Sequence, residues 1–355
     1  MKIVISSRHF SPAYIGHMKA WYRLCQECGY TVLIYYSEKY EKFFPEEEYK
    51  CTTSLTKVEE FAPEYAVVQN IGFEDIELFK WCKKNNCFLF YILHEPYMGF
   101  LEMLKEGKMV PKQIIAAMLN SWLCHKADKV IVCSKYAKLN CEKYMKGITK
   151  KLEMMPLLFL DSFEESDDTE RQYVSMIGTY AFSHGSDVFL RFIKEAYIRG
   201  LKLKYQITTR SDIREQLSDP IYKKMIEEDV LLLQQGRPLS EKEMCGAYRR
   251  SYVVWNGYRR STQSGVLPNS YMQGTPVIAT NLRSFEEDVI PGVTGAFAEN
   301  LEYESIAKAI DTILMCGKSL NLGCRDYFMS KFYYGSQIET FQKIIESTRT
   351  PKNNN

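Results

Sequence analysis

The sequence predicts an α/β protein built as two successive parallel-sheet domains, and three observations carry this. Short apolar runs of strand length alternate with helical segments through the first 160 residues. The alternation stops at an acidic stretch, Asp161-Ser-Phe-Glu-Glu-Ser-Asp-Asp-Thr-Glu170. It then restarts and continues toward the C-terminus. Strands interleaved with helices call for a parallel sheet with right-handed crossovers. A chain of 355 residues is long enough for two compact domains.

The elements follow in order. Residues 3–6 form the first strand. Residues 16–28 read as a helix with Trp21, Leu24, Cys25 and Cys28 on one face and Gly29 closing it. Residues 31–36, 65–69, 88–93 and 129–133 are further buried strands, with helices over 75–85 and 134–145 between them. Pro111 opens a helix to Lys126, since a first turn tolerates proline. Its Ile114, Ile115, Met118, Leu119, Trp122 and Leu123 recur at helical spacing, which favours a core-facing helix with a solvated lysine face. After the acidic stretch, residues 173–177, 203–208, 230–233, 252–255 and 276–279 read as strands. Ser240-Glu-Lys-Glu243 is a capping box that opens a helix. Residues 327–346 read as helical and aromatic-rich, and 351–355 as a frayed tail.

Composition narrows the function classes. Hydrophobic residues at 46% and charged residues at 25% are globular proportions. A net charge of +2 gives no reason to expect a nucleic-acid partner. The 11 cysteines are scattered and no histidine cluster has zinc spacing, so reduced thiols, no metal and a cytoplasmic setting are expected. The chain opens directly on a strand, without the pattern of a signal peptide. No apolar run reaches the ~18 residues that span a bilayer. Charge is uneven: residues 101–160 hold eleven Lys, no Arg and five acids, a local +6. Beside a Trp-bearing helix, such a region is a candidate for peripheral contact with the inner membrane face; a solvated lysine face weighs more.

The most informative stretch runs from Tyr252 to Thr280. It reads as strand, polar loop, short helix, Gly turn and strand. In a parallel sheet such a loop leaves the carboxyl end of a strand, where ligands of open α/β sheets bind. The N–H groups of Thr262, Gln263, Ser264, Gly265 and Val266 at the helix start would suit a diphosphate, because first-turn amides lack internal partners. An ordinary β-loop-α connection has equal weight by pattern alone.

This stretch resembles the nucleotide-binding segment of GT-B glycosyltransferases, particularly the retaining family 4. Gly274-Thr-Pro-Val-Ile-Ala-Thr280 is similar to that family's closing GTPV strand. Phe285-Glu-Glu-Asp-Val-Ile-Pro-Gly-Val-Thr-Gly295 is similar to its E-V-x-x-G-x-T-G continuation. The resemblance implies an α/β GT-B fold: two Rossmann-like domains facing a cleft, with a C-terminal helix crossing back to the first. On that basis residues 1–160 are an acceptor domain and 161–172 a linker. Residues 173–334 are then a nucleotide-sugar domain and 335–350 the returning helix, entered through Phe332-Tyr-Tyr334.

The resemblance also assigns roles. Gly16, with Arg8 and His9 nearby, falls where the family has a Gly-rich loop under the donor diphosphate. His94 falls where a histidine contacts the donor sugar, and Glu95 beside it is a candidate general base. The family's G-R-x…K-G is replaced by Gly178-Thr179 and His184-Gly185, so Arg210, Arg259 or Arg260 must supply the cation. Arg237, Pro238 and Leu239 fall in the loop that packs on the base. Ser261 and Asn269 stand where the family has two glutamates; the Asn269 amide can still bond ribose hydroxyls. No D-x-D strand end, Walker loop, G-x-G-x-x-G or G-x-S-x-G elbow occurs. The implied reaction is metal-independent, cofactor-free transfer from a UDP- or GDP-sugar to a glycan or lipid-linked acceptor in surface-polysaccharide assembly. The departures leave two alternatives: a non-catalytic GT-B binding protein and a nucleotide-sugar epimerase.

Overall fold

The structure, a computed structural model, describes residues 1–69, 73–96, 99, 110–164 and 169–349. Residues 165–168 of the acidic stretch, Lys105 and Lys108 of the basic region, and the tail lie outside the described residues. The chain divides into two units, Met1–Leu160 with Lys331–Asn355, and Asp161–Ser330.

The first unit is a sheet of β1 (Lys2–Ser7), β2 (Thr31–Tyr36), β3 (Cys51–Thr52), β4 (Tyr65–Val68), β5 (Phe88–Leu93), β6 (Lys129–Val132) and β7 (Leu152–Met154). All neighbours pair in parallel, in the order β3-β2-β1-β4-β5-β6-β7. Parallel strands are covered on both faces, so they are continuous apolar runs; Ile3, Val4 and Ile5 are all fully buried. The covering helices are α1 (Ala13–Glu27), α2 (Leu55–Phe61), α3 (Ile76–Lys84), α4 (Val110–Lys126) and α5 (Lys135–Tyr144). Helix α1 starts three residues before the expected Gly16, with Pro12 as its N-cap.

The second unit repeats the plan. Strands β8 (Tyr173–Ile177), β9 (Lys204–Thr208), β10 (Leu231–Gln234), β11 (Ser251–Asn256), β12 (Val277–Thr280) and β13 (Gly295–Ala298) pair in parallel, in the order β10-β9-β8-β11-β12-β13. Its helices are α6 (Ser186–Ile198), α7 (Pro220–Glu227), α8 (Glu241–Arg249), α9 (Val266–Met272), α10 (Tyr303–Cys316) and α11 (Ser319–Tyr327). In both sheets the first strand lies between the second and the fourth. Crossovers on either side of it run in opposite directions, which opens a crevice at the strands' carboxyl ends.

The chain then returns to the first unit, and not as one helix. Tyr333 is extended (φ −66°, ψ 127°). It bridges to Phe159: the Phe159 N–H donates to the Phe332 carbonyl at 2.9 Å, and the Tyr334 N–H donates to the Phe159 carbonyl at 3.1 Å. This pairing interrupts the helix expected over 327–346. Helix α12 (Ile338–Arg349) follows and buries Phe341 edge-on against Trp21, ring centroids 5.4 Å apart. The start of the acidic stretch is anchored to the second unit. Asp161 accepts two bonds from Arg325, at 2.9 and 2.7 Å, and that guanidinium lies over Phe163. No described helix is long and apolar enough to cross a membrane.

Candidate functional site

At the crevice of the second sheet, the loops after β8 and β11 lie side by side. The β8 loop runs from Gly178 to Gly185 and the β11 loop from Gly257 to Gly265. Gly185 has φ +63°, and a Cβ there would stand 2.1 Å from the Gly257 carbonyl oxygen; one on Gly257 would stand 1.9 Å from the Trp255 ring. Only glycine allows this approach. The Trp255 indole N–H donates to the Gly185 carbonyl at 3.1 Å, and the Arg259 N–H donates to the Ser183 carbonyl at 2.9 Å. His184 stacks on Tyr258 with centroids 4.3 Å apart, and its Nδ1 bonds the Thr179 carbonyl at 3.1 Å.

The rim continues toward β9 and β10. Tyr180 N–H donates to Ser211 Oγ at 3.1 Å, and Gly236 N–H to the Ser211 carbonyl at 3.1 Å. The structure thus joins His184, the Arg210 loop, the Arg237–Leu239 loop and the Arg260–Val266 loop along one sheet edge. Arg210 is exposed and forms no ion pair among the described residues. Arg260 is half-buried. Arg259 is engaged elsewhere: it makes a two-pronged pair with Asp187 at 2.6 and 2.8 Å and stacks on Phe182. Burial opposes the Asp187 charge, yet this guanidinium holds the carboxyl below its ordinary range. Arg237 pairs with Glu243, the carboxylate of the α8 capping box. Arg237 and Pro238 are exposed and Leu239 is half-buried.

The expected anion loop is partly closed on itself. The Gln263 N–H donates to Ser261 Oγ at 3.1 Å, and the Val266 N–H to Ser264 Oγ at 3.2 Å. Ser264 Oγ in turn donates to Asn256 at 2.8 Å. Thr262 is buried, while Gly265 is exposed. The N–H groups of Ser264 and Gly265 take no partner among the described residues. Ser261 Oγ donates to the Gln263 carbonyl, and the Asn269 amide donates to the Gly265 carbonyl at 2.6 Å. The two positions where glutamates were expected therefore brace the loop.

The corresponding edge of the first sheet has a different make-up. Half-buried His94 follows β5, next to exposed Glu95. Its ring lies 4.8 Å from Tyr14 and 5.8 Å from His17, centroid to centroid. His17 is buried and its Nδ1–H donates to the Leu158 carbonyl at 2.9 Å. Burial, then the neighbouring His17, push the His94 imidazole down to about 3, against a bond to the Gln69 backbone. Burial lowers His17 as well. Both are neutral near pH 7, and a neutral imidazole offers one donor and one acceptor. On the opposite face of this sheet, fully buried Asp75 accepts from Ser6 Oγ at 2.7 Å. Burial pushes its carboxyl up to about 7, against Ser6 and Arg8.

Gly16 lies inside α1 and is exposed, with open space where a Cβ would be. Arg8 turns away from the loop tip: it donates to the Tyr36 and Thr53 carbonyls at 2.5 and 3.1 Å and stacks on Tyr35. Tyr14, His17 and Asp75 were not expected at this edge. A Tyr-x-x-His pair in the first turns of a helix directly after the first strand was the available signal for two of them. Nor are the cysteines all scattered. Cys25 and Cys28 stand at C-x-x-C spacing, but all eleven thiols are free. Burial raises both, Cys28 to about 11, the reverse of a reactive pair. Among the described residues no three His, Cys, Asp or Glu side chains converge as a metal site.

No family profile and no curated protein sequence matches the chain. Solved structures do match over its whole length. HepE from Anabaena, in complex with UDP-glucose, superposes with a TM-score of 0.73 at 12% identity, covering 98% of this chain and 100% of that one. A glycosyltransferase from Rickettsia africae gives 0.72 at 9% identity, covering 99% of each. The sucrose-phosphate synthase of Thermosynechococcus elongatus gives 0.72 at 12% identity, covering 98% and 99%. The fold is the GT-B fold of these glycosyltransferases.

Proposed function

We propose that the protein is a glycosyltransferase that moves a sugar from a nucleotide-sugar to an acceptor hydroxyl. The single observation that carries this is the crevice of the second sheet. Two glycine-bounded loops meet there, with Arg210 and Arg260 on the rim. The Ser264 and Gly265 N–H groups, which take no partner among the described residues, and guanidinium ions are the chemistry that binds a diphosphate and stabilises it as a leaving group. HepE, which shares the fold, was solved with UDP-glucose, which makes UDP-sugars the first donors to try.

In this reading His184, Arg210, Arg260, Thr262, Gln263, Ser264, Gly265 and Val266 hold the diphosphate, and Gly16 approaches it. Arg237, Pro238, Leu239 and Asn269 lie toward the nucleoside. Neutral His94 bonds sugar hydroxyls and Glu95 is the candidate base. Transfer is retaining and metal-independent, with a glycan or lipid-linked acceptor of surface-polysaccharide assembly. The test is nucleoside diphosphate release from UDP-glucose, UDP-galactose, UDP-N-acetylglucosamine and GDP-mannose over an acceptor panel, with and without EDTA. Release that survives EDTA, with the product's anomeric configuration kept, is the expected result. Tight nucleotide binding without release on any acceptor favours a second reading, a binding protein. The bracing of the loop by Ser261 and Asn269 speaks for it. Interconversion of the donor without acceptor would point to an epimerase.

A further inference from the structure

Helix α4 has an apolar face too many. Its inward side is accounted for: Leu123 and Cys124 are fully buried, and Leu119 packs against the same core. A surface helix of a globular domain ordinarily carries one apolar stripe. Here Ile115, Met118 and Trp122 form a second one, spaced by three and four residues and therefore on one face. They are 59%, 68% and 40% exposed. Scattered exposed apolar residues are common, whereas an aligned set marks a contact surface. The sequence had favoured a core-facing helix, and half of its six apolar positions face outward instead. Trp122 packs beside Phe79, the rings inclined by 29° with centroids 6.2 Å apart.

Charge selects the occupant. Lys126 continues the stripe one turn beyond Trp122. The turn after α5, Lys146–Lys151, abuts the same helix end, where Lys151 Nζ donates to the carbonyls of His125 and Ala127 at 2.8 and 2.7 Å. That contact satisfies the negative helix end. Lys126, Lys146 and Lys150 are exposed and form no ion pair among the described residues. A second copy docked face to face would set these lysines against each other. A surface of fixed negative charge with an apolar layer beneath it suits both features at once.

We propose that α4 and the turn Lys146–Lys151 form a docking face for an anionic lipid bilayer. Ile115, Met118 and Trp122 enter the interfacial layer, and Lys126, Lys146 and Lys150 lie at the headgroups. This holds whether or not the protein transfers a sugar, so its test needs no activity. The full chain is floated with vesicles of phosphatidylcholine alone and with about one-third phosphatidylglycerol. Binding is expected only to the anionic vesicles, and weakened by salt. Met118→Glu with Ile115→Glu should abolish it. Each of Lys126→Gln, Lys146→Gln and Lys150→Gln should weaken it about fivefold. All five substitutions lie on exposed positions, and an unchanged melting temperature checks the fold. No flotation, equal flotation on neutral vesicles, or flotation indifferent to the Met118 and Ile115 changes would each overturn the proposal. So would a dimer in light scattering that Met118→Glu converts to monomer, since the face would then belong to a second copy.

Discussion

The carboxyl edges of the two sheets share one topology and opposite chemistry. In each, the loops after the first and fourth strands flank the crevice. In the first unit that edge carries Tyr14, His17, His94 and Asp75, enclosed groups whose charged forms burial disfavours. In the second it carries Gly185 and Gly257, whose missing side chains let two loops pack together, with Arg210 and Arg260 beside them and Arg259 paired to Asp187. Topology settles where a site can lie, because crossovers diverge there. Residue chemistry settles what it takes: neutral donors and acceptors suit hydroxyls, whereas cations and amides suit phosphates.

The largest effect should come from breaking the second edge. Gly185→Val puts a branched side chain at φ +63° against the Gly257 carbonyl. A loss of more than about 4 kcal/mol in urea unfolding is expected, and UDP binding should disappear with it. An unshifted unfolding curve would mean the two loops are not locked together.

The next sharpens the first edge. Asp75 is raised from 3.8 to about 7, so its folded form holds a proton that the unfolded chain has released. Stability therefore falls as pH rises from 3.8 through about 7. Asp75→Asn should stabilise the protein at pH 8, by on the order of 4 kcal/mol, with the gain fading toward pH 4. His17 and His94 act in the opposite sense: their folded forms resist protonation, so stability is lost as pH falls below 6.5. Thermal melts across this range, with and without the substitution, separate the two. An Asp75→Asn gain that ignores pH would remove the buried charge from the account.

The smallest effect discriminates most finely. Arg210→Ala should weaken UDP and UDP-glucose alike, by about tenfold, with no change in melting. His94→Asn should leave UDP unchanged and weaken UDP-glucose only, by about threefold. Calorimetric titration with both ligands reads this directly. Equal losses in both columns would erase the distinction between the two edges.

Much of the fold was legible because buried parallel strands are written as uninterrupted apolar runs. Residues 31–36, 88–93 and 173–177 coincide with β2, β5 and β8. Strands β3, β7 and β13 were not, since two to four residues at a sheet edge leave no run to detect. The loops of the second edge were legible from their glycines and arginines. Tyr14, His17 and Asp75 were not, because their meaning comes from burial beside groups distant in the chain.

By itself, the sequence determined the two α/β units, their parallel sheets and the loop positions at the strand ends. Local pattern is enough for that, since a strand or helix announces itself within about ten residues. Tertiary structure alone decided four other matters. Tyr333 leaves the helix to pair with Phe159. Arg259 is committed to Asp187, while Arg210 forms no ion pair among the described residues. Ser261 and Asn269 brace their own loop. Helix α4 turns Ile115, Met118 and Trp122 outward. Each depends on which distant groups meet, and on the desolvation and hydrogen bonding set by that meeting.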